Sequence, residues 1–385
     1  MSRRPHVLFI LEFYYPHVGG VETLFHNLIN ALTRDGYRCT ILTQRFDASL
    51  PVRETNGSAE VRRIRVPNRY LFSVFAFFAA LPLVRRADLI HTTSYNAGLP
   101  AFFSGFLARK KTIITFHEAW GRLWFDLPFI GKISAWGHYL FEQLLLRLPF
   151  QRFIAVSQAT ARRLEEEGVA PERITVVPNG LNYAEWIGEA APGPEQPPQP
   201  VASDESFTYT YFGRAGISKG LDLLLPAAAA FAQHYPQGRL QLIIPDVASP
   251  ITHWIKTYIK EHQLEEQVQI RHSLPFSELI SSLKQSKWVV IPSYSEGFCF
   301  AAAEATALGI PLVHSNQAAL AEVVSGYHAP MRTFSVDGLT DALLRAAQNE
   351  WRFTPYRSYP MQDSLQQYCR IYEDILSPTV EKSSA

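Results

Sequence analysis

Cysteine is scarce in this chain. Three residues in 385, Cys39, Cys299 and Cys369, lie far apart in sequence, which excludes a disulfide framework or a CxxC metal site and fits a reducing compartment. Net charge is nearly absent as well: 36 Lys and Arg against 35 Asp and Glu leave +1, so bulk nucleic acid is not a partner that composition favours. Long apolar runs are also missing. Val7 to Leu11 is ended by Glu12, short of the ~7 to 15 residues of a secretory segment, so a cytoplasmic chain is expected. The run Tyr70 to Val84 is interrupted by Ser73 and Pro82 and falls short of the roughly 20 residues that span a bilayer.

What is present is an ordinary globular composition, 47% hydrophobic and 18% charged, which excludes an intrinsically disordered protein. At roughly 100 to 200 residues per domain, the length suggests two domains. Charge is uneven between them. Residues 1 to 190 carry 22 basic against 16 acidic side chains, and residues 191 to 385 carry 14 against 19. The first half is therefore the one expected to meet something anionic.

Pro192 to Pro200 holds five prolines in nine residues, a density that excludes helix and central strand, and it reads as an interdomain linker. Before it, HVLFILEF meets the turn YYPHVGG and then a helix whose Leu24, Leu28, Ile29 and Leu32 recur at three and four, with YRCTILTQ as the next strand. Further strands are read at DLIHTT, KTIITFH, RFIAVS and ITVVPN, and after the linker at FTYTYFGR, RLQLIIP, VQIRHS, WVVIPS and PLVHS. The fold class is α/β, two Rossmann-like doubly wound domains, with ligands expected outside the carboxyl ends of the strands.

Four strand ends carry chemistry. At His17 to Glu22, Gly19 and Gly20 stand between strand and helix, so bare amides and the helix dipole can meet an anion; a tight turn needing positive φ is the plain alternative. At Phe212 to Gly220, Arg214 and Lys219 lie five apart among three glycines, one a two-pronged donor and the other a point charge, a pair suited to a diphosphate without a metal. Two solvated surface cations are the alternative. In the third stretch, Pro292 to Ala305, Ala301 to Leu308 reads as a helix stopped by Gly309. Glu296 then sits at or before its start and Glu304 within it, up to about 12 Å apart along a helical axis. That is too far for a glycosidase pair, which needs ~5 to 10 Å, and it suits two ends of one long polar ligand. Gly297, Phe298 and Cys299 lie between, with amides directed at whatever binds the helix end. A capping carboxylate for Glu296 and a solvated face for Glu304 are the alternatives. The fourth stretch, TFHE, delivers His117 at a strand end, whereas His91 reads as structural.

These motifs resemble the retaining glycosyltransferases of the GT-B fold, family 4 type: GGVE at 19 to 22, TFHE at 115 to 118, VPNGLN at 177 to 182, FGR with SKG at 212 to 220, and the E-x7-E pair Glu296 and Glu304. The resemblance covers nearly the whole chain. It implies two Rossmann-like domains facing a cleft, divided as 1–190 (acceptor-binding), 191–206 (linker), 207–360 (nucleotide-sugar-binding) and 361–385 (a helix crossing back to the N-terminal domain, and tail). It further implies a nucleotide-sugar (NDP-sugar) donor, a glycan, lipid-linked or small-molecule acceptor, transfer of a hexosyl group, and neither cofactor nor metal. By position, Arg214 and Lys219 would neutralise the diphosphate, Glu296 bind sugar hydroxyls and Glu304 ribose hydroxyls, Gly20 offer its amide to phosphate, and His117 face the sugar. The chain departs from the family pattern at Pro245 to Ala248 and at NQAA, 316 to 319, where glycine-rich turns are usual. A two-lobed sugar-binding protein and a phosphorylase- or epimerase-like enzyme are the competing readings. Finally, Arg62, Arg63, Arg65 and Arg69 ahead of Tyr70 to Phe78, with Arg85 and Arg86 behind, suggest a segment resting on an anionic membrane, the alternative being an ordinary buried helix.

Overall fold

The computed structural model describes residues 5–17, 19–56, 59–188, 193, 197–202 and 206–377. Half of the proline-rich linker expected at 191–206 lies outside them, as does Val18. Two compact units divide the chain: Met1–Gly121, His138–Gly180 and Met361–Ala385 make the first, Arg122–Gly137 and Leu181–Pro360 the second.

The first unit holds strands β1 (His6–Ile10), β2 (Arg38–Gln44), β3 (Arg53–Asn56), β4 (Ala59–Ile64), β5 (Leu89–Thr93), β6 (Lys111–Phe116), β7 (Arg152–Ala155) and β8 (Ile174–Val176), in the sheet order β3-β4-β2-β1-β5-β6-β7-β8. All neighbours are parallel except β3 and β4. Helices α1 (Gly20–Arg34), α2 (Phe72–Val84), α3 (Gly98–Leu107), α4 (Lys132–Arg147) and α5 (Gln158–Glu166) punctuate the chain. β1 and β5 are buried at every residue, as expected of strands covered on both faces, and α1 buries Leu24, Phe25, Leu28, Ile29 and Leu32 against the sheet.

Besides Arg122–Gly137, which includes the start of α4, the second unit holds α6 (Tyr183–Ile187), β9 (Phe207–Phe212), α7 (Leu221–Ala232), β10 (Gly238–Ile244), α8 (Pro250–Glu261), β11 (Val268–His272), α9 (Phe276–Lys284), β12 (Val289–Ile291), α10 (Phe300–Ala307), β13 (Leu312–His314), α11 (Leu320–Val323), β14 (Gly326–Pro330), α12 (Val336–Ala347) and β15 (Arg352–Thr354). Its sheet runs β11-β10-β9-β12-β13-β14-β15, antiparallel only at β14 and β15. Trp288, fully buried, stacks on Tyr209 with centroids 5.6 Å apart and anchors this core.

The final helix, α13 (Met361–Leu376), belongs to the first unit. Its Tyr368 and Tyr372 are fully buried, and Tyr372 Oη lies 2.5 Å from His91 Nδ1 while His91 Nε2 meets Thr115 Oγ1 at 2.8 Å. His91 is thus spent on structure.

Two sequence expectations need correction. Arg62 and Arg63, read as cations ahead of the apolar run and free for an anionic surface, lie in β4, where Arg62 pairs with Glu60 at 2.7 Å and buried Arg63 pairs with Glu54 at 2.8 Å. The cations form one block in sequence, but a strand turns alternate side chains to opposite faces. The alternative reading of Gly19 and Gly20, a tight turn needing positive φ, does not hold at the two glycines: Gly19 caps α1 at φ −176°, an extended conformation open to any residue, and Gly20 is the first residue of α1.

Candidate active site

In the second sheet the strand order reverses between β9 and β12, both parallel to each other. Such a switch point opens a crevice at the carboxyl ends of the two strands, and the loops leaving them are Gly213–Gly220 and Pro292–Cys299. Topology therefore brings together two motifs some eighty residues apart in sequence. Backbone contacts fasten them: Tyr294 N donates to Ser218 O at 2.8 Å, and Gly220, at φ 68°, approaches so closely that a Cβ there would stand 2.1 Å from Pro292 O.

Lys219 Nζ donates to Glu296 Oε2 at 2.8 Å, and Ser293 Oγ donates to Glu296 Oε1 at 2.7 Å. The pair is screened from water, with side-chain exposures of 19% and 10%. Arg214 is exposed and its guanidinium has no ion pair among the described residues; its carbonyl is held by the hydroxyl of buried Tyr211 at 2.8 Å. One cation of the motif is thus fixed and the other extends into solvent.

The helix after this loop begins at Phe300, with Cys299 as its cap at φ 72°. Glu296 to Cys299 are not helical, so the axial distance expected from an uninterrupted helix does not apply. Cys299 is buried, and that burial together with the Glu296 charge pushes its thiol well above its ordinary range. Phe298 is buried against Tyr359, ring centroids 5.1 Å apart. Its contribution to the loop is packing.

Glu304, on α10, is half-buried and its carboxylate has no hydrogen-bond partner among the described residues. Burial pushes its carboxyl from 4.5 up to about 8. An ionisable group kept under those conditions is a candidate for a ligand contact.

Sequence reasoning missed three supports here. Ser293 fixes Glu296; Tyr294 Oη donates to Asp222 Oδ2 at 2.7 Å, tying the loop to α7; and Ser315 Oγ donates to Ser293 O at 2.6 Å. The partners of the last two lie 72 and 22 residues away, beyond any local spacing signal. The loop 314–319 is held further by Asn316 N to His314 Nδ1 at 3.1 Å and Ala319 N to Glu296 O at 3.3 Å. Asn316 and Ala318 adopt φ 61° and 47°, so the left-handed path for which glycines are usual is kept without them. After β10, Val247 N closes a short turn on Pro245 O at 2.9 Å.

In the first unit, the switch point lies between β1 and β5. Gly19 and Gly20 open α1, whose first turn has no side-chain cap, and a Cβ on Gly19 would meet Glu22 Oε2 at 2.3 Å. Glu22 is engaged by His17 at 3.0 Å. His117 follows β6, its Nε2 buried with no hydrogen-bond partner among the described residues, and burial lowers its pKa to about 3. Burial thus favours its neutral imidazole form. Among the described residues, no group of three or more His, Cys, Asp and Glu is placed to hold a metal ion.

This pairing of two parallel Rossmann-like sheets is the GT-B fold, and the chain is a glycosyltransferase. Residues 18–185 match the model of Glycosyltransferase Family 4 and residues 194–359 that of Glycosyl transferases group 1; the chain belongs to the family 4 glycosyltransferases. One component of the human phosphatidylinositol N-acetylglucosaminyltransferase is 23% identical over 355 residues, 90% of this chain and 69% of that protein. The GDP-mannose:cellobiosyl-diphosphopolyprenol alpha-mannosyltransferase of Xanthomonas oryzae is 27% identical over 328 residues, 79% of this chain and 77% of that one. Among solved structures, sucrose-phosphate synthase from Thermosynechococcus elongatus superposes with a TM-score of 0.73 at 20% identity, covering 97% of this chain and 99% of its own. The catalytic domain of starch synthase IV from Arabidopsis thaliana gives 0.69 at 15% identity, covering 98% and 100%.

Proposed function

We propose that this enzyme transfers a hexosyl group from an NDP-sugar to a lipid-linked glycan acceptor with retention at the anomeric carbon and without a metal ion. The observation that carries the reading is the Lys219–Glu296 pair, 2.8 Å, seated where the two switch-point loops are stitched together. Loss of a nucleoside diphosphate from a sugar leaves an oxocarbenium-like centre and gathers negative charge on the departing phosphates. Fixed cations aimed at that charge lower the barrier because they need not reorganise during the reaction. Lys219, already oriented by Glu296, supplies one such charge; Arg214, with no ion pair among the described residues, supplies a planar two-pronged donor for phosphate oxygens.

Glu296 keeps acceptor capacity beyond its two present donors, enough to receive sugar hydroxyls. Glu304, with no partner among the described residues, receives the ribose hydroxyls. Neutral His117 and the amides of Gly19 and Gly20 serve substrate groups in the first unit. The reading needs no covalent nucleophile: same-face attack, in which the leaving phosphate accepts the acceptor's proton, is the step the charges favour. The two relatives support the substrate class: one acts with a GDP-linked mannose and a diphosphopolyprenol glycan, the other is a phosphatidylinositol N-acetylglucosaminyltransferase.

A panel of NDP-sugars screened by thermal stabilisation identifies the donor, since a ligand at 100 times its Kd stabilises by roughly 2.7 kcal/mol. NMR of the product's anomeric proton, with and without EDTA, then tests the mechanism. An α-linked donor should give an α-linked product at an unchanged rate. An inverted product, or activity lost with EDTA, refutes the proposal.

A further inference from the structure

A large apolar feature of the first unit lies away from the switch points. A groove of about 610 Å³ runs between α2 and α3, walled by Val74, Phe77, Phe78, Phe103, Phe106 and Leu107. Its one hydroxyl, on Ser73, is spent on Asn96 O at 2.7 Å. The two helices comprise 23 residues without a single charge. One side of α2 is buried through Phe72, Ala76, Ala80, Leu83 and Val84, yet Phe78 on the other is 64% exposed and Phe106 of α3 is 68% exposed. A surface helix normally turns polar residues outward, and an exposed apolar patch of this kind marks a partner.

The surroundings identify the partner. Residues 61 to 111 contain nine Lys and Arg and one acid, Asp88, and Asp88 is spent on His6 N at 2.8 Å. α2 and α3 each return between parallel strands of one sheet, β4 to β5, with β2 and β1 between them, and β5 to its neighbour β6, so they run in the same direction and finish at the same end of the strands. Exposed Arg85 follows α2 there, and exposed Arg109 follows α3. At the opposite end, Arg65 and Arg69 precede α2 and are exposed, Arg69 being paired with Glu12 at 3.0 Å. A second copy docked about a two-fold axis would set this cationic rim against itself. An apolar floor that offers no hydrogen bond, ringed by cations, instead complements a hydrocarbon chain carrying an anionic headgroup.

We propose that the α2–α3 face rests on an anionic bilayer, with an acyl chain of a phospholipid in the groove and its phosphate at Arg85 and Arg109. Each basic side chain held near such a surface adds attraction that salt screens. The seat differs from the one that the cation block of the sequence suggested, since Arg62 and Arg63 are consumed within the sheet. It does not depend on the transfer reaction.

The experiment is co-sedimentation of the full chain with vesicles of phosphatidylcholine, and of phosphatidylcholine mixed equally with phosphatidylglycerol, in about 0.1 and 0.5 M NaCl. Binding to the anionic vesicles is expected at low salt, weakened at high salt. Phe78→Ser with Phe106→Ser should reduce it by at least about tenfold, and Arg85→Gln with Arg109→Gln should abolish the preference for anionic vesicles. An environment-sensitive dye on Val74→Cys should be quenched more by nitroxides on the acyl chain than by nitroxides on the headgroup. Both double variants alter exposed side chains, so their melting curves and NDP-sugar stabilisation should match the parent, which separates failure here from failure of the proposed reaction. Equal partition onto both vesicles, undiminished binding by the Phe variant, or a dimer in sedimentation that the Phe variant dissolves would overturn the proposal.

Discussion

Glu304→Gln tests whether the half-buried carboxylate of α10 is kept for a ligand. Burial lifts its carboxyl from 4.5 to about 8 with no partner among the described residues to offset the cost. In the unfolded chain the group ionises near its ordinary value, so between those two pH values the unfolded state sheds a proton that the folded state retains, and stability falls as pH rises. Fully developed above pH 8, the penalty is on the order of 5 kcal/mol, and roughly half of it develops between pH 5 and 7. Glutamine has the same shape and no charge. The stability difference between wild type and Glu304→Gln, from urea midpoints at pH 5, 7 and 9, should therefore widen with pH in favour of the variant, while shifts shared by both chains cancel. Donor binding provides the complementary reading, because ribose hydroxyls donating to the ionised carboxylate supply the partners it lacks. Calorimetry in two buffers of different ionisation enthalpy should register proton release on nucleotide binding at pH 7, absent in the variant, whose affinity should fall by roughly 1.5 to 3 kcal/mol. A stability difference that stays flat from pH 5 to 9 refutes the reasoning.

Arg214→Ala should lower turnover by roughly 100-fold and leave the denaturation midpoint where it was, as the guanidinium has no ion pair among the described residues; a large midpoint shift with normal turnover would show a structural role. Lys219→Ala should cost a similar factor in turnover and also loosen Glu296, seen as a weaker KM for the donor. Gly220→Ala forces a Cβ to within 2.1 Å of Pro292 O at φ 68° and should destabilise by at least about 3 kcal/mol, a prediction that a midpoint close to wild type would refute. Ala318→Gly, at φ 47°, should be neutral to about 1 kcal/mol stabilising; measurable destabilisation would show that this turn is not left-handed.

The parts of this fold legible in sequence are those whose local chemistry has one solution. Runs such as HVLFI and TIITF, buried on both faces, have no other stable fate in an α/β chain, so β1, β2 and β5 to β13 are readable. β3, β4, β14 and β15 are not. β4 alternates buried and half-buried residues, with Arg63 facing inward to meet Glu54, and β15 is exposed along most of its length. β3 and β15 are edge strands, and they and β4 lack an apolar signature because what holds them is pairing to a neighbour; β14 is interior and largely buried, but its five residues include a glycine and a proline.

The site divides along the same line. Arg214, Lys219, Glu296 and Glu304 announce themselves because charge at the mouth of a strand or along an alanine-rich helix is out of place unless it has work there. Ser293, Tyr294, Asp222 and Ser315 hold those charges in position, yet each is an unremarkable residue whose importance comes from a partner supplied by the strand order. The loop 314–319 shows why departures from a glycine pattern are weak evidence about backbone. Ala318 keeps φ 47° because the bonds from Ser315 to Ser293 and from Ala319 to Glu296 hold both ends of the turn. Contacts of that kind can impose a conformation that the residue itself disfavours by about 1 to 2 kcal/mol, so at these positions the sequence reports the cost and the fold reports the path.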